Sequence, residues 1–461
     1  MSVEPARLAY AGRLALERER NPALWIGLIF AAHVPLALLM HQYSGISTLH
    51  AGATLAVGLW WAATRRELAQ VAWVGAYITG SEVLWRMTDA QVFWEYGKYV
   101  TAAIFLIALI RLRGLRGPAL IFVYFALLIP SAGILLAASN DLESVRQQLS
   151  FNLSGPFSLM VCAWFFSGCS LGRQDLLRLF AALIAPLVGI ATIALFNTLS
   201  VGTISFSNQS NLMTSGGFGP NQVSSVLGLG SMLALVFALD HGASRANRVL
   251  MFVLVVVFAA QSALTFSRGG LFLAAGSATA ASLYLVRDRR SRVRLIIATG
   301  LLFIVANYAV LPGLESMTGG TIVTRFKNTS TTGRDSLVQE DLKIWADNPI
   351  FGVGPGQARL HRDVFHRYIA AHTEFSRMVA EHGIFGLAAL LLLFIEGGRR
   401  LRLARGPTAK AAVAAALIWS LLFMLGEAMR LVAPGFMFGL AFAAISVERS
   451  GSSQERRSTT L

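Results

Sequence analysis

Three arginines and one histidine are the side chains best suited to chemistry in this sequence. Arg146, Arg268 and Arg334 each carry a planar guanidinium that can hold two phosphate oxygens at once. His372 can accept a proton near neutral pH, because the pKa of an unperturbed histidine is about 6.5. If the three arginines converge, they form a clamp for a diphosphate beside a proton acceptor. Arginines that merely extend from the membrane toward water are the alternative interpretation of each one alone.

Arg268 occupies the most constrained position of the three arginines. It lies in the turn Ser267-Arg268-Gly269 between two apolar segments, with almost no loop to accommodate it. A charged side chain at the centre of a membrane helix costs about 2.5–3.5 kcal/mol on insertion scales, and less near a helix end. We therefore expect the Arg268 guanidinium to have a specific partner.

A glycine-rich turn follows a short amphipathic segment in the second half of the chain. Residues 334–345 have the apolar spacing of an amphipathic helix, which Asn348-Pro349 should end. The next stretch, 351–356, contains Gly354 and Gly356, whose backbone amides could contact an anionic substrate. Its spacing differs from the dinucleotide fingerprint GxGxxG. A purely structural tight turn is the alternative interpretation.

A metal site is not favoured by the histidines and carboxylates of the sequence. The pattern HExxH of zinc enzymes does not occur. The pair Asp141 and Glu143 resembles acidic pairs that bind a divalent cation, but two carboxylates at this spacing arise often by chance. We therefore expect neither a metal nor a cofactor. The four histidines of this region are His361, His366, His372 and His382.

Composition excludes an ordinary water-soluble protein. Hydrophobic residues make up 55% of the 461 residues and charged residues 14%, and the mean hydropathy is +0.59. The formal net charge of +15 does not indicate nucleic-acid binding, because the charges fall mostly between apolar runs and no soluble body carries them. The chain is expected to be a membrane protein.

Apolar segments long enough, or nearly long enough, to cross a bilayer occur about fourteen times. The sequence therefore predicts an all-α polytopic membrane protein with about 12–14 transmembrane helices. The expected spans are Ala23–Met40, Thr48–Ala63, Leu68–Trp85, Glu95–Ile110, Leu120–Ala138, Phe151–Ser170, Leu176–Leu199, Asn221–Leu239, Val249–Phe266, Gly270–Val286, Leu295–Leu311, Gly383–Ile395, Ala411–Leu425 and Leu431–Val447.

The distribution of lysine and arginine predicts the orientation of these spans. Basic residues accumulate in alternate connections, and such loops are retained on the cytoplasmic side. Both termini are then cytoplasmic, and the three arginines and His372 lie on the outer face. Four regions are expected: a transmembrane bundle of about eleven spans (1–311), a long extracytoplasmic loop with short amphipathic helices (312–382), C-terminal transmembrane helices (383–447) and a cytoplasmic tail (448–461).

Four motifs together resemble the O-antigen ligase and O-antigen polymerase superfamily of bacterial envelope glycosyltransferases. The turn Asn-Pro-x-Phe-Gly-x-Gly-Pro-Gly followed by a loop histidine is fairly specific, whereas Ser-Arg-Gly alone is not. The resemblance covers residues from about 205 to 395. The motifs are Ser215–Asn221, Ser267-Arg268-Gly269, Arg334 with Trp345–Gly356, and His372 with Glu381–Gly386.

The resemblance implies a metal-independent enzyme of the bacterial inner membrane. Such an enzyme transfers a glycan from an undecaprenyl-diphosphate-linked donor to a lipid A-core or a growing polysaccharide on the periplasmic side. Arg268 and His372 match the family's functional arginine and loop histidine, and Arg146 and Arg334 match less closely. The implied partners are these glycans and membrane lipids, without nucleic acid. Ligases of the family typically have fewer spans than the fourteen predicted, which leaves the subfamily open.

Two alternatives stay open on the sequence. A polymerase would use the same clamp and base and extend the lipid-linked chain instead of modifying a lipid A-core. A small-anion or proton-coupled transporter would use Glu82, Arg86, Glu427 and His372 as an ion path. Carriers hold their substrate near the bilayer midplane, whereas these charges are expected near the outer surface. Glu82 and Arg86 would then simply pair with each other.

Overall fold

The protein is described by a computed structural model. It describes residues 22–112, 117–138, 141–201, 204–240, 243–328, 330, 333–363, 366–367, 369 and 371–446. The basic residues before position 22 and the expected tail 448–461 lie outside this part of the chain.

The described chain is mostly helical and has almost no strands, which confirms the predicted all-α class. Two three-residue strands, β1 (Ser170–Gly172) and β2 (Ala444–Ser446), pair in parallel. The helices are α1 (Pro22–Gln42), α2 (Ser44–Thr64), α3 (Leu68–Met87), α4 (Tyr96–Arg111), α5 (Ala119–Ala126), α6 (Ile129–Ala138), α7 (Leu142–Ser167), α8 (Arg173–Ser200), α9 (Pro220–Leu239), α10 (Arg245–Leu264), α11 (Gly269–Leu285), α12 (Arg289–Val305), α13 (Leu311–Thr318), α14 (Thr321–Lys327), α15 (Arg334–Asp347), α16 (Glu374–Leu403), α17 (Pro407–Gly426) and α18 (Ala433–Leu440).

Within the described ranges, nine helices are long and apolar enough to cross a membrane. They are α1, α5 joined to α6, α7, α8, α9, α10, α12 continued through α13, α16 and α17. Helix α11 is apolar but shorter, and α2, α3 and α4 coincide with predicted spans but are less apolar or shorter. A multi-pass membrane protein is therefore confirmed.

The last predicted span, Leu431–Val447, has a different structure. Only α18 within it is helical, and the chain then turns into strand β2. The Ala444 amide donates to the Cys169 carbonyl at 2.9 Å, and β2 continues that contact by pairing with β1. Strand pairing provides the backbone hydrogen bonds that a helix would form within itself. Hydropathy alone therefore could not distinguish this strand from the end of a membrane helix.

The long loop is bounded by helices that extend beyond the predicted limits. The helix that begins at Arg289 continues through a π-helical turn, Ala306–Val310, to Thr318, and its apolar window is not buried against the rest of the protein. Helix α15 confirms the amphipathic helix predicted for residues 334–345, with Asn348 as its C-cap. Helix α16 begins at Glu374 and breaks at Gly383.

Basic residues from several short connections meet at one end of the helix bundle. The Arg111 guanidinium donates to the Arg65 carbonyl, and Arg173 forms an ion pair with Asp240. At the same end, Arg400 lies over the ring of Phe442, 4.1 Å from its centroid, close to the β1–β2 pair. These contacts connect the ends of α2 and α4, the start of α8 with the end of α9, and the end of α16 with the segment before β2.

Candidate functional site

The turn that carries Arg268 is fixed by close packing of two helices. Helix α10 ends at Leu264, and Phe266 then adopts a positive φ of 56°, which turns the chain sharply before α11. A Cβ on Gly270 would lie 1.9 Å from the Ser224 carbonyl oxygen, so only glycine permits this approach of α11 to α9. Arg268 is the N-cap residue of α11 and therefore projects from a rigid turn.

The glycine-rich motif Ser215–Asn221 packs against this turn. The Ser267 hydroxyl donates to the Asn221 side-chain oxygen at 2.8 Å, and the Ser224 hydroxyl donates to the Ser267 carbonyl at 2.9 Å. Two of the four motifs that suggested the family resemblance are thus adjacent in the fold.

Arg268 reaches into the long loop, where a further arginine lies close by. Its guanidinium donates to the carbonyls of Asn328 and Ser330, the latter at 2.6 Å. The buried Arg325 donates from Nε to the Phe266 carbonyl at 2.9 Å. Burial lowers the pKa of Arg325, and the positive charges of Arg268 and Arg334 lower it further. The charges of Arg268 and Arg334 are therefore both within electrostatic reach of Arg325.

Arg334 connects this arginine group to His372. It is the first residue of α15, and its Nη1 donates to the Gly426 carbonyl at 3.4 Å. The pKa of the half-buried His372 is lowered to about 4, first by burial and then by the charges of Arg334, Arg430 and Arg362. The imidazole is therefore neutral at physiological pH and able to accept a proton.

The backbone around His372 is held on both sides by the end of α17 and the segment that follows it. The Arg430 Nη2 donates to the Ala371 carbonyl at 3.0 Å, and the Thr373 hydroxyl donates to the Met424 carbonyl at 3.4 Å. Thr373 also caps α16 by accepting a hydrogen bond from the Phe375 amide. His372 consequently sits at a fixed position just before a membrane helix.

Glu427 contributes a carboxylate near these arginines. It accepts a hydrogen bond from the Ser225 hydroxyl at 2.8 Å, and burial raises its pKa, an effect that Arg334 and Arg430 oppose. Among the described residues it forms no ion pair with Arg430. Glu82 and Arg86, in contrast, form the expected pair at 2.7 Å.

Arg146 lies apart from this group, at a large cavity. Its side chain is 67% exposed and forms an ion pair with Glu143 at 2.5 Å. The cavity has a volume of about 1320 Å³ and is lined in part by Arg146 and Gly356, whereas Arg268, Arg334 and His372 do not line it. The structure thus places Arg268 and Arg334 near Arg325, whereas Arg146 lies at the cavity and not in this group.

The amides of the glycine-rich turn 351–356 have partners within the protein. Gly354 donates to the Glu381 carbonyl at 3.0 Å, and the Gly356 amide bonds the Glu381 carboxylate. The φ angles of Gly354 and Gly356 are 94° and 76°, which glycine adopts readily. These contacts favour the structural interpretation of the turn, with Gly356 shaping the wall of the cavity.

Replacing Gly383 by alanine is expected to destabilise the fold. Gly383 breaks α16 with a φ of 59°, and a Cβ there would lie 2.4 Å from the Ile350 carbonyl oxygen. The strained backbone alone costs roughly 1–3 kcal/mol. We expect a lower midpoint of thermal unfolding in detergent, followed by size-exclusion chromatography. Gly398→Ala in the same helix meets nothing within 4 Å and should leave the midpoint nearly unchanged. Equal midpoints for both variants would contradict this role of Gly383.

Comparison with known proteins bears directly on this region. Residues 252–391 match the family model described as O-antigen ligase. This part of the chain is similar to the O-antigen ligase family. The predicted resemblance is thereby confirmed. No curated protein matches the chain.

Residues 252–391, here called the O-antigen ligase segment, contain most of the residues for which the sequence predicted a chemical role. Arg268, Arg334 and His372 all fall within it, together with Gly354 and Gly356. Arg146 precedes it and belongs to helix α7. The segment therefore includes the group of Arg268, Arg325 and Arg334 together with His372, while α7 supplies much of the cavity wall.

The remaining histidines of the ligase segment have structural contacts. His366 bonds Glu340 at 2.6 Å, and the buried His382 bonds the Ser131 hydroxyl at 2.5 Å. His361 contacts the Gln357 carbonyl at 3.1 Å. In the part of the chain that the structure describes, no group of three His, Cys, Asp or Glu side chains is placed to hold a metal ion.

Three residues of the site were not singled out as clamp or base residues by the sequence. Arg325 lies in a loop helix beside Lys327 without any distinguishing pattern. Arg430 and Glu427 flank the turn after α17, and the sequence suggested Glu427 as part of an ion path. Their position before the short helix α18 was the available signal, because two charges in so short a connection between apolar segments need partners.

Proposed function

We propose that the protein transfers a glycan from an undecaprenyl-diphosphate-linked donor to a hydroxyl of a lipid A-core or growing polysaccharide. The observation that carries this proposal is that Arg334 lies within electrostatic reach both of Arg325, which the charge of Arg268 also affects, and of His372. All four residues lie within the segment that matches the O-antigen ligase model. Cations that suit a diphosphate lie next to a neutral imidazole that suits proton transfer. A metal is not chemically required, because guanidinium groups neutralise the leaving diphosphate.

In the proposed reaction, the acceptor oxygen attacks the anomeric carbon of the donor sugar. A new glycosidic bond forms as the bond between that carbon and the phosphate oxygen breaks, and the diphosphate leaves with the electron pair. Arg268 and Arg334 stabilise the negative charge that develops on the leaving group. His372 accepts the proton of the acceptor hydroxyl. A single displacement of this kind inverts the anomeric configuration.

The low pKa of His372 has a consequence for the order of these events. In the free protein, neighbouring arginines and burial hold that pKa at about 4, which makes the imidazole a weak base. A diphosphate bound at Arg334 brings negative charge to one of these arginines, and this raises the pKa of His372. The base then becomes stronger only when the donor is in place, so donor binding prepares the site for the acceptor.

The basic connections at the opposite end of the bundle support the orientation of this site. Positively charged short loops are retained in the cytoplasm, so the arginine group and His372 would face the periplasm in the inner membrane. The proposed regions follow: a bundle before the long loop, the loop itself, and C-terminal helices that return the chain to the cytoplasm.

The test is reconstitution of the purified protein with an undecaprenyl-diphosphate oligosaccharide, with and without lipid A-core, in the presence of a chelator. Transfer to the core identifies a ligase, and a ladder of longer lipid-linked chains without core identifies a polymerase. Activity in the presence of chelator supports a metal-independent reaction. If undecaprenyl diphosphate is not released under any of these conditions, the proposal fails and a transporter becomes the better hypothesis.

A further inference from the structure

The cavity beside Arg146 has no role in the diphosphate clamp as described above. It lies between α7, the turn that contains Gly356, the start of α16 and the residues Ala428, Met429 and Arg430. Its volume of about 1320 Å³ is large enough for a saccharide of several units or a comparable ligand. Ala371, the chain neighbour of His372, is part of its lining. The cavity therefore lies next to the proposed base, and neither Arg268 nor Arg334 lines it.

The arginines of the cavity differ in whether their charge is already neutralised. Arg362 pairs with Asp341 at 2.7 Å, and Arg377 pairs with Glu374 at 2.5 Å and with Glu381 at 2.7 Å. These ion pairs are buried and hold the wall together, since Arg377 also donates to the Asn152 carbonyl. Their charges are therefore unavailable to a ligand.

Arg430 and Arg359 retain their positive charge toward the cavity. Across the described residues, neither has a carboxylate within ion-pair distance. Arg430 uses Nη2 to hold the Ala371 carbonyl, while its buried Nε has no hydrogen-bond partner among the described residues. Arg359 is exposed at the same cavity.

The rest of the lining combines exposed aromatic rings with polar groups. Phe93 and Phe151 are 54% and 37% exposed. Tyr99 and Ser150 join their hydroxyls at 3.0 Å, and Gln148 lies on the same wall. Sugars present apolar C–H faces together with hydroxyl groups, so rings and polar side chains in one cavity suit a saccharide.

We propose that this cavity binds the acceptor saccharide and that Arg430 and Arg359 select an acceptor that carries phosphate or carboxylate groups. The inference rests on the proposed function for the identity of the second substrate. The donor diphosphate is held by Arg268, Arg325 and Arg334, and the acceptor enters from the Arg430 side. His372 adjoins the cavity through its neighbour Ala371, whose carbonyl Arg430 holds, and Arg334 of the donor group is within electrostatic reach of it.

The test measures binding without turnover. The full-length protein in lipid nanodiscs is titrated with lipid A-core, and separately with the same preparation after removal of its phosphates by hydrofluoric acid, in the absence of donor. We expect the phosphorylated preparation to bind about 10- to 100-fold more tightly, as charge-assisted hydrogen bonds to arginine predict. Arg430→Gln and Arg359→Gln should each reduce this difference.

Two comparisons separate this role from a structural one. Arg430→Gln could displace His372 through the Ala371 contact, whereas Arg359 makes no such contact, so a reduced phosphate preference in Arg359→Gln reports charge recognition. Lys343→Gln removes an exposed charge of α15 outside the cavity and serves as the matched control. In transfer assays the arginine variants should raise KM for the acceptor and leave KM for the donor unchanged.

The outcomes also distinguish this proposal from the proposed function. Equal binding of the two preparations, no binding of either, or a phosphate preference that survives both arginine substitutions would overturn the acceptor assignment. A rise in donor KM in the arginine variants would place the donor glycan in the cavity instead and overturn it as well. Selective binding of the phosphorylated preparation by a protein that never releases undecaprenyl diphosphate would support the cavity and reject the glycosyltransferase.

Discussion

Replacement of Arg268 by alanine is expected to reduce glycan transfer at least about 100-fold, the range seen when one preorganised donor to a developing negative charge is removed. Arg268 projects from a turn that Phe266 and Gly270 fix, and it lies within electrostatic reach of Arg325. Its loss removes the cation at the N-terminal end of α11, where the leaving diphosphate would be held. The measurement is the rate of undecaprenyl diphosphate release together with the appearance of product on a gel.

Two further variants show whether the effect is specific. Arg268→Lys retains the charge but cannot hold two oxygens in a planar fork, so it should also be strongly impaired. Arg399→Ala removes an exposed arginine whose partner Glu396 keeps a second arginine, Arg400, and it should transfer at the wild-type rate. Because Arg268 also holds the carbonyls of Asn328 and Ser330, the midpoint of thermal unfolding of the Arg268→Ala protein must be measured as well. Near-normal transfer by a folded Arg268→Ala protein would remove Arg268 from the mechanism.

Replacement of His372 by alanine is expected to lower kcat by about 100- to 10,000-fold, the usual contribution of a general base. The acceptor hydroxyl would then lose its proton only to water. His361→Ala is the matched control, because His361 is exposed and contacts only the Gln357 carbonyl among the described residues. Comparable activity of the His372 and His361 variants would exclude His372 as the base.

The pH profile adds a readout that a structural role of His372 would not produce. Its pKa is lowered to about 4 in the free protein, so the neutral, proton-accepting form persists until the pH falls through that value. The acid limb of kcat/KM for the donor, which reports the free enzyme, should therefore lie near pH 4. The acid limb of kcat should lie at higher pH, because a bound diphosphate offsets the arginine charges. Identical limbs in both profiles would contradict the proposed effect of the donor on His372.

Arg325 illustrates how the fold completes a site that the sequence describes only in part. Arg146 was expected to complete the diphosphate clamp, yet it lies at the cavity with Glu143 as its partner. Arg325 instead contacts the carbonyl of Phe266, the residue that shapes the Arg268 turn. A contact between residues 59 positions apart depends on how the long loop folds back over α10 and α11. No local spacing in the sequence encodes that path.

The glycine turn shows a related limit of motif analysis. The positions of Gly354 and Gly356 indicated a turn correctly, because glycine adopts positive φ angles without steric cost. Whether their amides contact a ligand depends on what lies opposite. The break of α16 at Gly383 brings the Glu381 carbonyl and carboxylate to these amides, and they are bonded within the protein.

The sequence by itself determined the membrane class, the helical architecture and the family resemblance, and it predicted Arg268 and His372 as site residues. Hydropathy and short motifs are properties of neighbouring residues, and a bilayer requires each span to satisfy its own backbone, so both can be recognised locally. Only the tertiary structure decided that residues 441–446 leave the helical pattern to pair with β1, that Arg325 rather than Arg146 joins Arg268, and that Arg430 faces a separate cavity. These features arise from contacts between distant segments, and their free energy depends on burial and charge placement that no single stretch of sequence contains.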